Sequence, residues 1–346
     1  MAALNKESVN LSQWNKKGDF QVVVGIDFGT DGSGVAWAMK DGNGEVFVDQ
    51  EINGNAQFVD VKTKTNILLE EDGEFIAFGR EATEKYIRQI QEDDDSDDES
   101  DIASNKKSAS WLYFSQFKMA LYKSAIKKQA LATKQGPDDN EVDEKKADPL
   151  KADIKRKIKA ANGRKLESKK VFVAALTFMK EYAFNMFERH NVDIADPSKI
   201  KWVLTVPAIW SDTSKGLMES WAVEAGLITD RKVLNQLVIA YEPDCASISI
   251  RHELLSMMMG KKKRKRNESA DEGDEMKEEI ESGKKQKQYL GANEKYLLLD
   301  LGGGTADIAC HQVVDDCTVK EVYQPSGGRM YRSTLNIIDP SMNVLK

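Results

Sequence analysis

Twice in this chain an aspartate closes an apolar run and a glycine-rich turn with a threonine follows at once. The copies are VVVGIDFGTDGSG around Asp27 and YLLLDLGGGTADI around Asp300. These residue types suit one chemistry. Glycines let the backbone turn tightly and approach a ligand without Cβ clashes. Successive amide N–H groups in such a turn form a concavity that attracts phosphate. A carboxylate at the strand end does not bind phosphate itself, but it holds Mg2+ through the metal's waters. Two such turns on opposing lobes would grip one nucleotide from both sides. A single strand-and-glycine turn is a weak signal; one supersecondary plan used twice is a strong one. The usual single phosphate loops are excluded, since neither GxxxxGK[ST] nor GxGxxG occurs.

Other residues with chemical potential carry less. Cys310 and His311 are neighbours on an expected strand, so they point to opposite faces and do not form a metal site with Cys317. Three scattered histidines support no Ser–His–Asp arrangement. The basic run KKKRKR, Lys261–Arg266, has the form of a nuclear-import signal or basic patch, but an acidic stretch follows it and a solvated loop is the simpler reading.

The elements that must position the two aspartates are legible. Phe20–Asp27 reads as a strand, and Val35–Met39 and Glu45–Gln50 follow as the rest of a meander, with the turn DGNG between them. Lys170–Asn191 has helical apolar spacing. Lys201–Val206 is a strand stopped by Pro207, and Ser211 or Asp212 caps a helix that ends at Gly226. Leu237–Tyr241 is a short strand, and Pro243 opens a helix. Lys295–Asp300 and Ala306–Val314 are strands on either side of GGGT. Trp111, Phe114, Phe117 and Leu121 read as a helical apolar stripe, with Lys118 emerging beside it. Strands and helices alternate in the α/β manner. Three charged stretches, Glu92–Asp101, Lys127–Lys169 and Gly260–Asn293, read as surface insertions, because dense charge cannot offset the entropy of ordering.

Composition sets the outer bounds. The 346 residues suggest about two domains at roughly 150 residues each. A net charge of −7 gives no general attraction to nucleic acid or anionic lipid. Three cysteines fit a reduced, cytoplasmic protein better than a disulfide framework. The N-terminal segment is polar and has no signal-peptide core, and the longest apolar runs fall far short of the ~20 residues a membrane helix needs.

At these motifs the chain resembles the heat shock protein 70 family. IDFGTDGSG is similar to the family's first phosphate loop and LDLGGGTADI to its second. KWVLTVPAIW and LVIAYEPDCASI are similar to its strand–VPA–helix and connecting segments. WLYFSQFKMAL, FIAFGREA, VPAIW and EPDCASI resemble its divergent protein 12 branch. The resemblance runs from about Val22 to Gly328 and implies an actin-like ATPase (ribonuclease H-like) fold. On that basis residues 1–19 are a tail. Residues 20–235 are a complete first lobe with charged insertions at 92–110 and 127–169. Residues 236–346 are the connecting segment and a partial second lobe with a charged loop at 260–293.

The resemblance also implies roles. Asp27, Glu242 and Asp300 correspond to ligands of Mg2+ waters. Gly29, Thr30, Asp31, Gly302, Gly303, Gly304 and Thr305 correspond to phosphate-loop positions. Lys118 corresponds to the lysine that assists attack on the γ-phosphate, and Asp307 to a carboxylate near the attacking water. The expected ligands are ATP or ADP with Mg2+, and the expected partners a client or co-chaperone protein, with no membrane and no nucleic acid. The expected location is cytoplasmic, with nuclear import through Lys261–Arg266 as the alternative.

Three departures from the family pattern stand out. Asp31 replaces the family's Thr or Ser and would repel phosphate unless it is screened or turned outward. Tyr331 and Arg332 in SGGRMYRSTLN replace glycines, and Asn336 replaces an Asp. The family continues beyond the position of Lys346 with a Gly-rich adenosine-binding segment and a peptide-binding domain. Weak or absent hydrolysis is therefore expected, and the alternative reading is a shortened, non-hydrolysing relative that acts as an interaction protein.

Overall fold

In the computed structural model, which describes residues 20–42, 45–48, 61–95, 111–121, 156–229, 235–253, 291–302, 305–315, 318–329 and 343–345, the run ahead of Asp27 forms β1, Val22–Phe28. Its side chains alternate between buried and half-buried, with Val22, Val24, Ile26 and Phe28 on the core face. β2, Gly32–Met39, folds back antiparallel on β1, and β3, Phe47–Val48, adds to β2, so the expected meander forms. β10, Ile200–Val206, pairs parallel with the other edge of β1, and β11, Leu237–Tyr241, extends the sheet in parallel. A short strand β4, Thr63–Lys64, pairs with β2 at the start of that strand.

A second sheet carries β5, Asn66–Leu69, between β6, Phe75–Phe78, and β7, Leu112–Ser115. Among the described residues of this unit are three long helices: α1, Gly79–Asp95; α2, Ser168–Arg189; and α3, Asp212–Glu224. α2 buries Val171, Phe172, Ala175, Leu176, Met179, Ala183, Met186 and Phe187, a helical stripe that packs into the same core as the inner face of β1. Phe172 is the hub, with ring centroids 6.0 Å from Phe28, 5.2 Å from Phe117 and 4.8 Å from Trp221. Ser211 caps α3 by accepting the Ser214 N–H, and Gly226 takes φ +79° just past its end, as its sequence signals require.

The described residues fall into two units: one within Gly18–Tyr241 and Leu301–Thr305, the other within Glu242–Asp300 and Ala306–Lys346. In the second, β12, Lys295–Leu301, lies between β13, Thr305–Val313, and β15, Asn343–Leu345, and β14, Val319–Arg329, flanks β13. A helix over 242–253, α4, is tied to these strands by side chains. Ser247 hydrogen-bonds the Tyr296 hydroxyl, Arg251 donates to the Asp315 carbonyl at 2.8 Å, and Asp244 meets His311 at 3.1 Å. The architecture is mixed α/β with a multi-stranded sheet.

Three expectations need correction. The acidic run does not begin as a loop: α1 continues through Asp95, because extending a formed helix costs far less than starting one. Part of the Lys127–Lys169 stretch is ordered. β8, Lys157–Lys159, and β9, Lys165–Glu167, make a hairpin that turns through Gly163 at φ +87° and buries Leu166. The Trp111–Leu121 stripe is not one helix. Leu112 and Phe114 are buried at period two and pair with β5; Gln116 then takes φ +49°, and helical backbone begins only at Met119. Phe114 and Phe117 still enter the main core, whereas Trp111 and Tyr113 pack against a separate cluster of Leu68, Ala77 and Ala82. The run 261–266, Cys317, Tyr331, Arg332 and Asn336 lie outside the described residues.

Candidate functional site

Asp27 stands at the C-terminal end of β1, on the face opposite Ile26 and Phe28. Parallel strands β1 and β10 end together here, the edge where α/β sheets tend to bind ligands. Thr205 on β10 donates its hydroxyl to Asp27 Oδ1 at 3.2 Å. The turn that follows is tight: a Cβ on Gly29 would lie 2.2 Å from the Gly32 carbonyl oxygen, so only glycine fits. Gly29 and Thr30 are half-buried and Asp31 is exposed.

Both carboxylates of this turn are already met by cations. Lys62 Nζ lies 2.5 Å from Asp27 Oδ2, and Lys64 Nζ lies 2.7 Å from Asp31 Oδ2. Asp31 therefore neither points away unpaired nor presents bare charge to a phosphate. The segment that brings the lysines reads V-K-T-K-T, with Lys62 and Lys64 exposed and Thr63 and Thr65 buried. Thr65 donates its N–H to the Asp31 carbonyl at 2.8 Å and shares a 2.8 Å hydroxyl hydrogen bond with Ser33, while Thr63 accepts from the Arg80 N–H at 3.3 Å. Lys62, Lys64 and Thr205 were not singled out from the sequence. The alternation of lysine and threonine was the available signal, since period two puts two ammonium groups on one side of a strand.

Lys118 belongs to the same unit as Asp27 and is only 2% exposed, with Nζ 5.5 Å from the centroid of the Trp210 ring. Trp210 sits on the loop that leaves β10 at Val206, so Lys118 is held near the C-terminal end of that strand but under cover. Glu242, Asp300 and Asp307 belong to the other unit. Glu242 starts α4, Asp300 lies half-buried near the end of β12, and Asp307 is buried on β13. Gly302 is exposed, Thr305 opens β13, and Gly303 and Gly304 lie outside the described residues. Burial pushes the Tyr296 phenol and the Cys310 thiol above their ordinary pKa values.

A carboxylate such as Asp27 is a hard oxygen ligand of the kind that holds Mg2+ through its waters, but both of its oxygens are already engaged, by the Lys62 ammonium and the Thr205 hydroxyl. Among the described residues, no group of three or more His, Cys, Asp and Glu side chains is placed to hold a metal directly. Among them, too, no helix is long and apolar enough to cross a membrane.

No protein-family model matches the chain. In sequence it is 28% identical over 335 residues to heat shock 70 kDa protein 12B of Homo sapiens, covering 90% of this chain and 43% of that protein. It is 28% identical over 338 residues to heat shock 70 kDa protein 12A of Homo sapiens, covering 92% and 44%. The mouse protein 12A is 29% identical over 330 residues, covering 89% and 43%.

The chain is a homologue of heat shock 70 kDa protein 12.

A match over about nine tenths of the chain cannot be confined to either of its two units. The chain spans less than half the length of the protein 12 relatives it matches.

Proposed function

We propose that the chain binds a nucleoside triphosphate with Mg2+ between two glycine turns of an actin-like ATPase fold. The observation that carries this reading is Asp27 beside a turn that admits no Cβ at Gly29, at the shared end of two parallel strands. The same Asp–Gly–Thr plan at Asp300 and the similarity to protein 12 support it. Amides of Gly29, Thr30, Asp31, Gly302, Gly303, Gly304 and Thr305 would hold phosphate oxygens. Glu242 and Asp300 would accept from waters of the metal, and Asp27 would join them where Lys62 gives way. Mg2+, when bound, neutralises polyphosphate charge and orients its oxygens. Asp307 would orient the attacking water, and Lys118 would stabilise charge on the transferred phosphoryl group. A client or co-chaperone partner and a cytoplasmic location belong to the same proposal.

A second reading, binding without appreciable turnover, is favoured by one observation: Lys118 is almost fully buried beside Trp210. Isothermal titration with Mg-ATP and Mg-ADP tests the first reading. Wild type should bind, and Asp300→Ala should weaken Mg-ATP affinity by about tenfold or more, on the order of 1.4 kcal/mol. A wild-type chain that binds neither nucleotide ends the nucleotide reading. A phosphate-release assay separates the two, since turnover at a rate of about 1 s⁻¹ or faster would dismiss the second.

A further inference from the structure

We propose that Lys62 is a built-in counter-ion for Asp27, standing where a metal-bound water would otherwise meet this carboxylate, so that polyphosphate binding at the first turn does not depend on a divalent cation. The inference rests on the nucleotide reading above.

The contact is close and placed by the fold. Lys62 Nζ is 2.5 Å from Asp27 Oδ2, while Oδ1 receives the Thr205 hydroxyl, so both carboxylate oxygens are engaged by donors of this chain. The lysine stem runs along the turn. A Cβ added at Gly32 would come 3.5 Å from Lys62 Cβ, and one at Gly34 would come 3.2 Å from Lys62 Cγ and 2.8 Å from the Val61 carbonyl oxygen. A side chain at Gly34 would crowd the path of Lys62, while one at Gly32 would only touch it. The backbone after Lys62 is pinned by the hydrogen bonds of Thr63 and Thr65, so the ammonium is delivered by an ordered segment.

Lys64 repeats the arrangement at Asp31. The turn thus carries two carboxylates and two ammonium groups, and its formal charge from these four is zero. A polyphosphate reaching the amides meets no uncompensated carboxylate. Lys62 and Asp27 are each about half exposed, at 48% and 42%, so the pair lies at the rim and is open to a ligand. An ammonium has three donors and can hold a carboxylate and a phosphate oxygen together. A divalent cation approaching Asp27 would meet like charge at the same oxygen.

The test is fluorescence anisotropy of a labelled ATP titrated with the full chain, once in excess EDTA and once in Mg2+. Wild-type binding should persist in EDTA, weakened by no more than the roughly tenfold that the metal contributes through Asp300. Lys62→Met should bind about tenfold or more weakly in EDTA and recover in Mg2+, while Lys62→Arg should follow wild type. Wild-type binding that collapses in EDTA overturns the inference alone and leaves the nucleotide reading standing. So does a Lys62→Met chain that matches wild type in both conditions. Wild type silent in both conditions overturns the nucleotide reading and the inference with it. Should Lys62→Met fail to fold by circular dichroism, the wild-type comparison still decides.

Discussion

Tyr296 is fully buried, and its hydroxyl meets the equally buried Ser247 hydroxyl on α4. Tyr296→Phe strands the serine and should cost about 1–3 kcal/mol, read by urea unfolding. The pair also sets a pH dependence. Burial raises the Tyr296 pKa above 10.0, so the fold favours the neutral phenol. A raised acid contributes stability in full below the unfolded pKa and loses it as pH climbs from 10 through the folded value. A tyrosine titrating above its fellows should appear in the phenolate absorbance, and Tyr296→Phe should remove it. At this scale the sequence was informative about Asp27 and the turn around it, because strand, carboxylate and glycine are adjacent in the chain. It was silent on Lys62, whose meaning depends on a carboxylate reached only through strand pairing.

Among the elements, the joint of β6 and α1 governs the segment that carries both lysines. Gly79 takes φ +69°, and a Cβ there would lie 2.1 Å from Thr63 Oγ1. Gly79→Ala should therefore destabilise by about 1–3 kcal/mol through backbone strain, with further loss from the clash. It should also loosen β4, and hydrogen exchange at Lys64 and Thr65 amides should rise more than exchange in β10. Elements set by local signals were readable. Pro207 ended β10, Ser211 began α3 and Gly226 closed it. Leu112–Ser115 was not, because four aromatic residues and two leucines in the eleven positions 111–121 satisfy a helical and a strand period at once, and partner β5 decides between them. The 157–167 hairpin was obscured by its lysines, whose exposed positions outnumber the few residues that bury.

For the whole molecule, the family resemblance was legible in the sequence, and the comparison with protein 12 agrees with it. The parallel pairing of β1 with β10 was not visible, since no local rule names a partner so far along the chain. The core that results is dominated by aromatic contacts. Phe172→Ala would leave a cavity among Phe28, Phe117 and Trp221 and should cost about 3–5 kcal/mol, measurable as a lower urea midpoint.

Asp27 and Thr205 are 178 residues apart, and that interval has a consequence during synthesis. At about 5–20 residues per second, a ribosome takes roughly 10–35 s to emit the intervening chain. For that time β1 has only its hairpin neighbour, and its Val22–Ile26 edge lacks the strand that later covers it. Open edges of this kind pair with foreign strands. The nascent protein would thus depend on shielding at the tunnel exit long before any ligand could reach it.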